Sequence, residues 1–114
     1  MIILDSILTS IKKLLGIEED YEHFDVDVIL HINTVFSTLN QLGIGPLEGF
    51  SIEDKTATWD MFLEDNKTLN MVKSYMYQRV RLMFDPPQNS FLVQSLEKQI
   101  LEFEWRICLK EKVG

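Results

Sequence analysis

The chain has little of most things that staple, anchor or catalyse. It contains one cysteine, Cys108, in 114 residues, so no disulfide can form within it. A lone thiol also suits a reducing compartment. Long apolar runs are missing: no segment approaches the roughly 20 apolar residues that cross a bilayer. The opening Met1-Ile-Ile-Leu meets Asp5 and Ser6 at once, without the pattern of a secretory signal. The expectation is a cytosolic chain with no membrane attachment. Cations are scarce. Eleven Lys and Arg face 18 Asp and Glu, a net charge of -7. Affinity for phosphate comes mainly from Lys and Arg, so the balance argues against a protein whose main work is gripping nucleic acid. There are no repeats, no low-complexity segments, and no strict alternation over a strand's length.

Helical periodicity is what remains, in a length that fits one domain over residues 1–114. A first helix is expected over residues 5–15. Asp5 or Ser6 would cap it, Ile7, Ile11, Leu14 and Leu15 would form its stripe, and Gly16 would end it. Lys12 and Lys13 fall near its C-terminus, where the helix dipole favours cations. A strongly acidic loop, "GIEEDYEHFD", follows. A central second helix is expected over residues 25–42, capped by Asp25. Ile29, Ile32, Phe36 and Leu39 form one face, and Val28, Val35 and Leu42 a second. Gly43 would end it. After the loop "GIGPLEGFS", a short third helix is expected over 54–63, with Trp59, Phe62 and Leu63 inward.

The fourth helix is expected over 69–84, capped by Asn66 or Thr68, with Leu69, Val72, Met76, Val80 and Met83 as its stripe. It stops at Asp85-Pro86-Pro87, because Pro86 biases Asp85 away from the helix. The fifth helix is expected to start after Asn89 or Ser90 and run to residue 110. Leu92, Leu96, Ile100, Phe103 and Ile107 form one stripe. Leu101, Trp105, Cys108 and Leu109 form another. A single helix of this length cannot fold alone, so the double proline reads as a rigid corner rather than a linker. A helix apolar on two sides is either buried or shared with a partner. The expected fold class is therefore all-α, a small bundle of about five helices with a long C-terminal helix after the corner.

Searches for chemistry return little. His23 and His31 lie near Glu22 and Asp27, but there is no HExxH and no cysteine beside them. The acids Glu18, Glu19, Asp20, Glu22, Asp25 and Asp27 lack the D-x-[DN]-x-[DN]-G spacing of a calcium loop. "GIGPLEG" has no lysine-serine pair and no preceding strand, so it is a loop and not a phosphate cradle. Cys108 has no histidine near it in sequence and reads as a packed or interface thiol. Arg79 and Arg81 read as salt-bridge partners within or between chains. Charge is divided unevenly. Residues 1–66 hold three Lys and Arg against 13 acids, a balance of −10, and residues 67–114 hold eight against five, a balance of +3. Opposite halves can attract within a fold or between copies.

Three stretches together resemble the head–tail connector (head-completion or adaptor) proteins of tailed bacteriophages. They are "VILHINTVFSTLNQLGIGP", "GFSIEDKTATWDMFLED", and "LNMVKSYMYQRVRLMFDPPQNSFLVQSLEKQILEFEWRI", spanning about residues 24–107. The resemblance implies a small helical bundle whose copies form a ring, usually twelve-fold, docked under the portal at the capsid vertex. The ring would extend the DNA channel, through which DNA passes without sequence-specific binding, and would offer a platform for a tail-completion or stopper protein. Neither catalysis nor a cofactor is expected. The location implied is the virion neck, with the host cytoplasm during assembly. The family's C-terminal segment commonly contacts the portal, which maps here onto the last helix and the tail to Gly114. On this reading Arg79, Arg81, Leu101, Trp105 and Leu109 serve a subunit or portal interface. Glu18, Glu19, Asp20, Glu22 and Asp25 face the channel or ring rim, and Asp85, Pro86 and Pro87 form the corner. The competing readings are a small helical DNA-packaging or DNA-binding accessory protein, and a small enzyme or metal-binding domain.

Overall fold

The computed structural model describes the backbone of residues 6–64 and 66–113 and the side chains of residues 6–64 and 67–109. Ser6 caps α1, Ile7–Leu14, and its Oγ accepts a hydrogen bond from the Thr9 amide at 3.2 Å. The alternative cap, Asp5, lies outside the described residues. Ile7, Leu8 and Ile11 enter the core, while Leu14, expected to join them, is exposed.

Helix α2, Asp25–Gln41, buries Val28, Ile32, Val35, Phe36 and Leu39. The two expected stripes thus merge into one broad inward face. Its cap differs from expectation. Phe24 occupies the N-cap position and makes no side-chain bond there. Asp25 is the first helical residue, and its carboxylate is an ion-pair partner of Lys12 at 2.8 Å. A buried cation outcompetes the local amides for it.

The connection to α3 is irregular but firmly held. Asn33 imitates a strand edge. Its Nδ2 donates to the Ile52 carbonyl at 3.0 Å, and its Oδ1 accepts from the Ile52 amide at 2.8 Å. Gly45 adopts φ +89°, and a Cβ there would sit 2.3 Å from Phe62 Cε1, so only glycine fits. Phe36, Phe50, Trp59 and Phe62 stack in tilted and edge contacts at ring distances of 4.7–6.4 Å.

Helix α3 is shorter than expected, Trp59–Phe62. Residues 54–57, expected as its start, form a turn in which Asp54 Oδ1 accepts from the Thr56 amide at 2.8 Å. That side chain offers the backbone an alternative to the helix. The bonds from Thr56 also hold the Asp54 carboxyl below its ordinary value. An isolated antiparallel bridge, Ser6 with Thr58, and a bond from the Trp59 indole to Ser10 Oγ at 2.9 Å tie α3 to α1.

Helix α4 spans Asn66–Phe84, beginning one turn earlier than expected. Thr68 is therefore a helical residue and not a cap. The Asn66 side chain lies outside the described residues. Val72, Tyr75, Met76 and Val80 are buried on α4. The last helix, α5, spans Ser90–Val113 and runs back antiparallel along α4. Ile100 and Ile107 are buried, with Leu96 and Phe103 packed beside them. Leu92, expected in that stripe, is exposed. The pairing of residue 75 with 104 and of 78 with 99 places residues 90–92 beyond the end of α4, where Ser90, Phe91 and Leu92 are exposed. The fold is all-helical, and α4 is the hub: α2 and α5 both pack on it, and α1 packs on α2 and α4. One core cluster draws residues from all five helices.

Candidate assembly surfaces

The outer side of α5 presents an apolar row. Leu101 is 65% exposed, Trp105 65% and Leu109 46%. The spacing of four puts them on one face, a turn apart. Cys108, expected beside them, is half-buried. At the edge of this row, Leu101 joins Ile100, Glu97, Arg79, Leu82 and Met83 around an open groove of about 430 Å³ between α4 and α5. Met83, expected in the core, is part-exposed in this groove.

This face sits on a helix whose placement is fixed by a polar cluster. The Tyr75 hydroxyl donates to Glu104 Oε2 at 2.6 Å, and Arg79 Nη1 donates to the same oxygen at 2.9 Å. The Arg79 guanidinium also lies over the Tyr75 ring, 5.6 Å from its centroid. Burial, reinforced by the bond to Glu104, pushes the Tyr75 phenol well above its ordinary value, so it remains a donor. Gln78 Nε2 donates to Gln99 Oε1 at 3.1 Å one turn further along. Arg79 is thus engaged inside the chain, as an α4–α5 tie. Arg81 is half-buried and forms no ion pair among the described residues.

The five predicted acidic residues separate into two groups. Glu18, Glu19, Asp20 and Glu22 are exposed on the loop between α1 and α2. Asp25 is turned inward to Lys12. Lys12 is almost fully buried. Its Nζ donates to the Glu19 carbonyl at 3.0 Å and the Tyr21 carbonyl at 2.7 Å while holding Asp25 at 2.8 Å. The ammonium therefore donates to two loop carbonyls and pairs by charge with Asp25, and it pins the acidic loop from beneath. Reading Lys12 only as a dipole partner missed this role. The signal available was a lysine one turn after a buried Leu8, on the inward face of α1.

At the corner, α4 ends with the Asp85 amide bonded to the Arg81 carbonyl at 2.8 Å. Asn89 Oδ1 then caps α5, accepting from the Phe91 amide at 2.7 Å and the Leu92 amide at 3.3 Å. Pro86 and Pro87 fill the step between these two ends. Among the described residues no group of three or more His, Cys, Asp or Glu is placed to hold a metal ion. No helix among them is long and apolar enough to cross a membrane.

The described residues thus form an all-helical bundle that leaves an apolar face of α5 exposed and rigidly held. The chain matches the family model of phage connector proteins over residues 7–114 and belongs to that family. Its role is that of a connector-type structural component of the virion, working with assembly partners; the family is structural rather than enzymatic. No curated protein and no solved structure matches the chain significantly.

Proposed function

We propose that this chain is a head–tail connector that assembles as a single connector domain into a ring, twelve copies in the virion, beneath the capsid portal. The ring joins head to tail, extends the DNA channel, and offers its far side to a tail-completion or stopper protein. The observation that carries this reading is the α5 face of Leu101, Trp105 and Leu109, exposed yet held in place by the Tyr75–Arg79–Glu104 cluster. Large aromatic side chains on rigid supports are favoured interface anchors.

The exposed acids Glu18, Glu19, Asp20 and Glu22 suit a channel wall or rim, where like charge lets DNA slide. Lys12 withdraws Asp25 from that surface and fixes the loop that carries the other four. Arg81 on α4 forms no ion pair among the described residues, which suits a contact with a neighbouring copy or the portal. A DNA-gripping role has less support, since Arg79 and Arg106 are each engaged by a glutamate of the same chain. In the phage that encodes this chain, its deletion should leave filled heads and tails unjoined. Infectious particles at normal yield would refute the reading.

A further inference from the structure

We propose that neighbouring copies meet through unlike surfaces, the N-terminal half of α2 on one copy docking against the outer face of α5 on the next. The proposal rests on the ring reading and names its contact. Val26 and Leu30 are 79% and 63% exposed. They stand one turn apart on the side of α2 away from its core face, a second apolar row that nothing among the described residues covers. The α5 row of Leu101, Trp105 and Leu109 matches it in pitch and is longer by one turn.

The two rows lie on different flanks. Helices α2 and α5 each pack on α4. The α5 contact uses the side of α4 bearing Tyr75, Gln78 and Arg79. The α2 side uses Phe84, which meets Phe24 at the entry to α2 at 5.3 Å. A copy therefore carries one row on each flank, so one can serve the copy before it and the other the copy after it. Such a heterologous contact closes into a ring when its rotation permits.

Charge supports the same pairing. Lys98 lies on the exposed face of α5, seven residues before Trp105 and so on the same side. It forms no ion pair among the described residues. Glu22, in the loop that leads into α2, and Asp27, next to Val26 in sequence, are exposed and likewise form no ion pair among the described residues. Docking the rows brings the acidic entry of α2 to this lysine, a local instance of the −10 and +3 division of the chain.

The test is a cysteine pair, Val26→Cys with Leu101→Cys in a Cys108→Ser background, assembled on portal rings and treated with a short bismaleimide. The expected product is a ladder of linked copies up to the full ring, with only monomers from either single-cysteine chain. In parallel, Lys98→Glu should weaken assembly at least tenfold, and adding Glu22→Lys with Asp27→Lys should restore it. Rings that form without a ladder and without charge rescue would overturn this pairing while leaving the ring reading intact. A chain that binds portal only as separate monomers would overturn both.

Discussion

Trp105→Ala should separate folding from assembly. A tryptophan side chain offers about 200 Å² for burial. With 65% of it exposed, about 130 Å² is free to be covered by a neighbour, worth ~3 kcal/mol at ~25 cal/mol per Å². The covered remainder contributes at most ~2 kcal/mol to the fold, an upper bound because the unfolded chain is itself compact. The variant should therefore fold, with a modest loss in urea unfolding. Each intersubunit contact should weaken by ~100-fold. Since every copy of a ring makes two such contacts, assembly should fail at concentrations where the parent chain assembles. Helical circular dichroism with urea titration reads the first quantity, and the mass of the complex formed on portal reads the second. Unchanged assembly by Trp105→Ala would refute the assignment of this face. Global unfolding of the variant would refute it too, by placing Trp105 in the core.

Three further outcomes follow from single contacts. Gly45→Ala should cost about 2–4 kcal/mol, from φ strain and a clash with the Phe62 ring; Gly16→Ala, at a similar φ but with nothing within 4 Å, should cost only about 1–2 kcal/mol, and equal losses in urea titration would remove the clash. Lys12→Met keeps the buried stem but strips the ammonium from two carbonyls and Asp25; it should cost about 2–4 kcal/mol, with faster amide exchange across residues 18–24, and a stability change under ~0.5 kcal/mol would contradict the pin. Tyr75 has a folded-state pKa raised above its unfolded ~10, so its contribution is complete below that pH and is lost as pH rises further. Urea midpoints should fall above about pH 10, and Tyr75→Phe should flatten that fall.

The parts of this fold legible in the sequence are those that depend on local period. The inward faces of α2, α4 and α5 follow from apolar spacing, and the corner at Asp85-Pro86-Pro87 follows from backbone sterics and the Asn89 cap. What escaped depends on partners distant in sequence. Lys12 reaches carbonyls seven and nine residues on, and Asn33 finds Ile52 across 19 residues. Arg79 meets Glu104 only because α5 folds back in one register. Leu92 obeys the helical period, yet it lies beyond the end of α4, so period alone assigned it a neighbour it lacks. Residues 54–57 carry a helix-like composition that the Asp54 side chain overrides by bonding its own turn. The exposed row of α5 was visible as a second apolar stripe. Its counterpart on α2, Val26 and Leu30, was hidden among the apolar residues of a central helix.

The most direct measurement is the native mass of portal rings incubated with this chain. A ring-forming connector should add a fixed increment of twelve times 13.4 kDa, saturating in one step, with Trp105→Ala adding no such increment. A graded increase with no fixed stoichiometry, or no increase at saturating chain, would contradict the assembly of this protein as a ring on the portal.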